Sequence, residues 1–241
     1  MRTLEEILSD NKMKSDISEE LTLMLIKMIE EKRLSNPSSL FSLAISGGGS
    51  PMRLFGLWSQ KFRDSIPWSR ISLFWTDERA VPPEDSESNY GMAKSNLLER
   101  VPIPDNQIYR IEGESDPQIE SVRYSSLLKS VLPHKDGFPV FDLIILGIGV
   151  DGHTASIFPG QDQLYTYNLA YAPSLNPYSG QKRVTMTGKT ILNSKRSVFY
   201  LTGEEKREAV DMVIKNSGES RYPASYFLKF LQLSSIYWDA T

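Results

Sequence analysis

Residues 41–51 read FSLAISGGGSP, a short apolar segment that runs into three glycines and then a proline. Residues 41–46 are mostly apolar at successive positions, as in a strand buried on both faces of a parallel sheet. Pro51 suits the first turn of a helix, and the apolar spacing over 51–62 is typical of an amphipathic helix. The stretch therefore predicts a strand, a glycine turn and a helix.

Similar apolar segments occur three more times, and helical patterns separate them. The later strands are predicted at 71–76, 142–147 and 197–202. Helices are predicted at 16–33, 51–62, 90–100, 117–132 and 204–215. Alternating strands and helices predict an α/β fold, a doubly wound, mainly parallel Rossmann-like sheet with helices on both faces.

The remaining segments are rich in turn-forming residues and predict loops at 82–88, 113–117, 133–139 and 159–180. The last loop is long and rich in tyrosine, and such loops are usually mobile or functional. No repeat, low-complexity tract or linker divides the sequence. We expect one α/β domain over residues 1–241, with residues 1–35 as an N-terminal helical segment packed on it.

Charge and composition exclude several classes of protein. The 241 residues include 27 lysines and arginines against 30 acids, a formal net charge of −3, which argues against a nucleic-acid-binding protein. Residues 1–16 have no apolar signal region, and no later segment approaches the ~18 apolar residues of a membrane span. The lack of cysteine excludes disulfides, thiolate zinc sites and cysteine nucleophiles. We expect a cytoplasmic protein without membrane contact, a monomer or small homo-oligomer.

Polar clusters follow three of the predicted strands, at the edge where open α/β sheets bind ligands. The first cluster is Gly47, Gly48, Gly49 and Ser50, ahead of a predicted helix. Backbone amides of such a loop and helix start suit a phosphate, although a plain tight turn is the alternative. No Gly-Lys-Ser/Thr follows, so the loop is not a Walker P-loop.

The second cluster is Asp77-Glu78-Arg79. Two acids and a guanidinium at a strand end fit a catalytic or ligand-binding site, whereas a helix cap with a surface ion pair is the simpler alternative. The third cluster, residues 147–154, contains the spacing G-x-G-x-x-G of a dinucleotide site. Asp151 at the expected pyrophosphate position and Pro159 in the expected helix both disfavour that interpretation.

Acid–base chemistry is the better interpretation of the third cluster. His153 lies at the ligand edge, and Asp151 can fix its tautomer and orientation. A structural His153 is the alternative, and the other histidine, His134, is expected to be a solvated loop residue. One well-placed histidine leaves a transition metal short of ligands, so neither a metal nor a cofactor is expected. The sequence contains no G-x-S-x-G elbow, so a Ser-His-Asp hydrolase is not supported.

Three motifs together resemble the 6-phosphogluconolactonase family, the lactone hydrolases of the pentose phosphate pathway. They are SGGGSP at 46–51, TDERAVP at 76–82 with Ser88-Asn89, and GIGVDGHTASIFP at 147–159. The similarity runs from about residue 40 to residue 238. Gly49, the third glycine, stands where the family often has Ser or another small residue. The resemblance implies a fold shared with glucosamine-6-phosphate deaminases and ribose-5-phosphate isomerases.

The resemblance also implies a substrate, a sugar-phosphate lactone that is hydrolysed without a cofactor. On this hypothesis His153 is the general base, Asp151 orients it, and Arg79 contacts the oxyanion or a substrate hydroxyl. Arg183 and Lys206 match phosphate ligands of the family and would bind the phosphate together with the amides of residues 47–50. Neither stands out from composition, and a surface base is the alternative for each.

Two other functions remain as alternatives. A glucosamine-6-phosphate deaminase or aldose–ketose isomerase on the same fold would use Asp77 as the base at the sugar C2. The deaminases carry a glutamate-containing turn where this chain has Ala155-Ser156, and usually a tyrosine in place of Arg79, so the lactonase is favoured. A non-catalytic sugar-phosphate sensor would lack the acid–base pair, and both His153 and Asp151 are present.

Overall fold

A parallel sheet lies at the centre of the protein. The computed structural model describes residues 16–231 and 235–239. The strands in this sheet are β1 Phe41–Ile45, β2 Ile71–Trp75, β4 Ile108–Tyr109, β7 Leu143–Leu146, β10 Ser197–Thr202 and β11 Ile236–Asp239. They are ordered β11-β10-β7-β1-β2-β4, and all their pairings are parallel.

Two smaller sheets accompany it. Strands β3 Asp77–Arg79, β8 Tyr171–Leu175 and β9 Lys182–Met186 form an antiparallel sheet in the order β3-β9-β8. Strands β5 His134–Lys135 and β6 Phe138–Pro139 form a hairpin. Because β3 follows β2 after one residue, the second sheet begins at the carboxyl edge of the first.

Helices surround the sheets. The α-helices are α1 Ile17–Ser35, α2 Gly49–Gln60, α3 Asn89–Asn96, α4 Pro117–Val131, α5 Gly188–Asn193, α6 Arg207–Lys215 and α7 Pro223–Leu228. Short 3-10 turns lie at Trp68–Arg70, Leu98–Arg100, Asp105–Gln107, Asp162–Tyr165 and Glu204–Lys206. None of the helices that the structure describes is both long and apolar enough to cross a membrane.

The predicted parallel α/β sheet is confirmed, with strand ends within a residue of prediction. The loop prediction is wrong at 159–180, which contains β8, and at 133–139, which contains the β5–β6 hairpin. His134 lies in this hairpin and is exposed to solvent, as expected. Strand β8 carries Pro173, a residue that normally argues against a strand, and it pairs with β9 alone at the edge of its sheet. Residues 1–15 of the expected N-terminal segment lie outside the described residues.

Helix α1 packs its apolar stripe onto α2 and β11, with Leu21 and Leu25 fully buried. Its last turn is tied to the start of β7, where Asp142 accepts hydrogen bonds from Lys32 at 2.5 Å and from the Ser42 N–H at 2.8 Å. Lys195 pairs with the other oxygen at 2.9 Å. Burial alone would raise the pKa of Asp142, but these partners outweigh it and hold the pKa below its usual value.

Candidate active site

The three polar clusters meet in one cleft at the carboxyl edge of the parallel sheet. The cleft has a volume of about 320 Å³. Its walls include nine of the ten residues singled out in the sequence: Gly47, Gly48, Gly49, Ser50, Asp77, Arg79, His153, Arg183 and Lys206. Asp151 lies behind His153. The structure therefore brings the predicted site residues together, from segments up to 159 positions apart in the chain.

The glycine loop forms the turn between β1 and α2. Gly48 has φ +97°, a conformation that favours glycine, and it precedes the first residue of the helix, Gly49. The Ser50 hydroxyl accepts a hydrogen bond from the Thr202 N–H at 3.1 Å, which ties the start of α2 to β10. The residues at this helix start line the cleft, and the free backbone amides of a helix start suit an anion.

His153 and Asp151 form a hydrogen-bonded pair. The Nδ1 atom of His153 lies 2.5 Å from Oδ1 of Asp151, and the same oxygen accepts the His153 N–H at 3.1 Å. A Cβ atom at Gly149 would lie 2.1 Å from the imidazole, so glycine is needed there for the ring to rest against the loop. This contact fixes Nδ1 on the carboxylate and leaves Nε2 as the nitrogen that can exchange a proton in the cleft.

Asp151 is set up to remain ionised. Burial alone would raise its pKa, but the hydrogen bonds from His153 outweigh that effect and hold the pKa of Asp151 below its ordinary value. A charged carboxylate on Nδ1 stabilises an imidazolium when Nε2 takes up a proton. The pair thus has the arrangement of a general base and the residue that orients it.

The segment after β7 does not form a dinucleotide site. Gly152 has φ +81° and donates its N–H to the Gly149 carbonyl, which closes a tight turn. Within the described residues, the chain from this turn to β8 contains a single 3-10 turn, Asp162–Tyr165, and no α-helix. A helix start that would bind pyrophosphate is therefore missing from this segment, as the sequence indicated.

Two adjacent acids in the second cluster have different environments. Glu78 is buried and accepts hydrogen bonds from the N–H groups of Asn89 and Tyr90 at 2.7 Å each. It therefore caps α3, as one part of the simpler alternative predicted, but its buried position is not that of a surface ion pair. Burial raises its pKa. Asp77 faces the cleft and accepts a hydrogen bond from the Ser156 hydroxyl at 2.6 Å. Its carboxylate lies 3.8 Å from Arg183.

Arg79 and Arg183 are cross-strand neighbours in the β3–β9 pair. The Nε atoms of both are buried, and no hydrogen-bond partner for them occurs in the described part of the chain. Arg183 is only 9% exposed, so it is not an ordinary surface base. Its burial lowers its pKa, Asp77 opposes that shift, and Arg79 adds to it. Two like charges placed opposite each other are costly, and an anion between them would relieve the repulsion.

Lys206 brings a third cation to the cleft. It ends a 3-10 turn directly before α6, and its Nζ lies 3.3 Å from the Ile148 carbonyl. Together with Arg79 and Arg183 it makes the cleft cationic, since Asp77 is the one acid among the lining residues described. Such a cleft is suited to a doubly charged anion.

Two residues that the sequence reading left without a role also belong to the site. Ser156 is fully buried and holds Asp77, and Asn89 lines the cleft beside the glycine loop. Asn89 lies twelve positions from Asp77, and the motif Ser88-Asn89 was the only signal for it. Among the described residues, no group of three His, Cys, Asp or Glu side chains is placed to hold a metal ion.

Comparisons with known proteins give a consistent picture. The family described as glucosamine-6-phosphate isomerases/6-phosphogluconolactonase matches residues 10–238. The 6-phosphogluconolactonase of Treponema pallidum is 40% identical over 183 residues, 76% of each chain. That of Haemophilus influenzae is 40% identical over 185 residues, 76% of this chain and 78% of the relative. The solved 6-phosphogluconolactonase of Trypanosoma brucei superposes with a TM-score of 0.77, at 26% identity over 92% of both chains.

Proposed function

The chain belongs to the glucosamine-6-phosphate isomerase/6-phosphogluconolactonase family, and we propose that it hydrolyses 6-phospho-D-glucono-1,5-lactone to 6-phospho-D-gluconate in the pentose phosphate pathway. The observation that carries this proposal is the His153–Asp151 pair beside a cationic cleft. Lactone hydrolysis needs a base for water, a donor for the oxyanion and a site for the phosphate. The cleft contains candidates for all three.

His153 is the proposed general base. Its Nε2 removes a proton from water as the water oxygen attacks the lactone carbonyl carbon, and Asp151 stabilises the imidazolium that forms. The carbonyl oxygen becomes an oxyanion, for which Arg79 is the proposed donor. The bond from the carbonyl carbon to the ring oxygen then breaks, and the ring oxygen takes the proton from His153. The second proton of the water leaves with ionisation of the new carboxylic acid.

The phosphate is the proposed ligand of Arg183, Lys206 and the amides of residues 47–50. Amides carry only partial charges, so a dianion also requires cationic donors. The buried guanidinium of Arg183 and the ammonium of Lys206 line the same cleft as the glycine loop. This division of the site leaves Arg79 for the reacting end of the lactone.

The environment of Asp77 favours the lactonase over the deaminase or isomerase. In those reactions Asp77 would have to take a proton from the sugar C2. Here its carboxylate already accepts hydrogen bonds from Ser156 and from Thr76 and lies near Arg183. We therefore assign Asp77 to holding Arg183 in position. A sensor without catalysis would have no use for the His153–Asp151 pair.

The test is to offer the purified protein two substrates separately. Fresh 6-phosphogluconolactone should release acid well above the spontaneous rate, measured in a pH-stat. Glucosamine 6-phosphate should release no ammonia. Ammonia release without lactone hydrolysis would replace this proposal with the deaminase, and inactivity on both substrates would favour the sensor.

A further inference from the structure

Asn89 carries a polar atom that the described part of the protein does not use. The residue lines the cleft, and only 1% of its surface is exposed. Its amide oxygen Oδ1 is buried and has no hydrogen-bond partner among the residues that the structure describes. A buried acceptor without a partner is costly in a native protein, so it calls for an explanation.

The orientation of the Asn89 amide is fixed by its other atoms. Its Nδ2 donates a hydrogen bond to the Asp77 carbonyl at 2.9 Å, and an acceptor there requires the nitrogen, not the oxygen, on that side. Its backbone N–H donates to Glu78, which caps α3. Turning the amide would break the bond to Asp77, so Oδ1 is held where it is.

The glycine loop is shaped around this oxygen. A Cβ atom at Gly47 would lie 1.8 Å from Oδ1 of Asn89 and 2.2 Å from its Cγ. Only glycine at position 47 allows the amide to approach so closely. The oxygen therefore lies against Gly47, in the loop to which we assign the phosphate, and it belongs to a side chain that lines the cleft.

The chemistry of Oδ1 limits what it can bind. An amide oxygen only accepts hydrogen bonds, so its ligand must donate one. A fully ionised phosphate and a lactone carbonyl also only accept, and therefore cannot bind to it. Those acceptors suit the donors Arg79, Arg183 and Lys206. The parts of the lactone that can donate to Asn89 are the ring hydroxyls at C2, C3 and C4.

We propose that Oδ1 of Asn89 accepts a hydrogen bond from one ring hydroxyl of the lactone, which makes Asn89 a specificity-determining residue. This inference rests on the proposed function. It assigns Asn89 to the recognition of the sugar ring, separately from the groups that hold the phosphate and from the His153–Asp151 pair.

The experiment compares the 2-deoxy, 3-deoxy and 4-deoxy forms of 6-phosphogluconolactone with the parent lactone. In the wild type, loss of the recognised hydroxyl leaves the buried oxygen unpaired, and kcat/KM should fall roughly 5- to 100-fold. In Asn89→Ala that penalty should shrink to about 2-fold or less, because the variant has no amide oxygen that the deoxy lactone could leave unpaired. The penalties for the other two deoxy lactones should stay as in the wild type.

Two further variants separate recognition from mere support of Asp77. Asn89→Asp keeps an acceptor but loses the amide donor to the Asp77 carbonyl, so it should retain the deoxy penalty that Asn89→Ala loses. Asn96→Ala is the matched control, since Asn96 ends the same helix and its amide donates to the Met92 carbonyl outside the cleft. It should behave as the wild type with every lactone.

If kcat/KM of Asn89→Ala falls equally on all four lactones, so that no deoxy penalty changes, the inference is overturned. Asn89 would then only support Asp77. An Asn89→Asp variant that loses the penalty as Asn89→Ala does would also overturn it. In both cases the wild type still hydrolyses the parent lactone, so the proposed function stands. A wild type that hydrolyses none of the lactones would overturn both proposals.

Discussion

Lys206→Ala gives the clearest test of the proposed phosphate site. Truncating Arg183 would strip Asp77 of its nearby guanidinium, and so would disturb the buried network as well as the substrate. The Lys206 ammonium donates a hydrogen bond to the Ile148 carbonyl at 3.3 Å, which is at the weak end of hydrogen bonding. Its removal should therefore cost the fold less than about 1 kcal/mol.

The expected loss is confined to the phosphorylated substrate. A charge-assisted hydrogen bond contributes roughly 1.5–3 kcal/mol, which converts to a fall in kcat/KM of about 10- to 150-fold, mainly through KM. Unphosphorylated gluconolactone has nothing for Lys206 to hold, so its hydrolysis should change by less than about 2-fold on the same reasoning.

Initial rates of acid release from fresh lactones, at several concentrations, measure both effects. Lys215→Ala is the control, since Lys215 lies on the helix that follows Lys206 and its side chain is 75% exposed. Equal loss on both lactones in Lys206→Ala would refute the phosphate assignment and place Lys206 in the fold or the chemistry instead.

Two predictions concern stability and metals. Asp142→Asn should lower the free energy of unfolding at pH 7 by about 2–4 kcal/mol, because it leaves the largely buried side chain of Lys32 without its charged partner. Lys195→Gln is the control, since Lys195 is the exposed partner of Asp142, and it should lower the free energy of unfolding by less than about 1 kcal/mol. The lowered pKa of Asp142 means that its contribution is fully present above the ordinary aspartate pKa of ~3.9 and is lost as pH falls through the lower folded value. Urea unfolding between pH 7 and pH 3 should thus show a flatter acid decline in Asp142→Asn; an unchanged decline would contradict this account. EDTA should leave lactone hydrolysis unchanged, and loss of activity restored by one added metal would contradict the cofactor-free mechanism.

Central parts of the fold were predictable because of how they are buried. Strands β1, β2, β7 and β10 are covered on both faces, so they are nearly continuous apolar runs in the sequence. Strand β8 is different, because it lies at the edge of a small sheet and carries Pro173 and Ser174. Turn-forming residues such as these predict a loop, so nothing in the sequence indicated a strand there.

The site was predictable as a set of clusters but not as a set of roles. Side chains alternate along a strand, so β3 turns Asp77 and Arg79 to the cleft while Glu78 caps α3. A cluster of three adjacent polar residues does not reveal that division without the strand. The role of Asn89 was hidden because it depends on contacts with Asp77 and Gly47, which are distant in the sequence.

The most direct test of the account is the turnover of His153→Ala on 6-phosphogluconolactone, with spontaneous hydrolysis subtracted. General acid–base catalysis contributes about 10²- to 10⁴-fold, so kcat should fall by at least ~100-fold while KM changes little. Circular dichroism should match the wild type, since the imidazole is partly exposed at the cleft. A variant that keeps a kcat near the wild-type value would contradict the proposal that His153 activates the water.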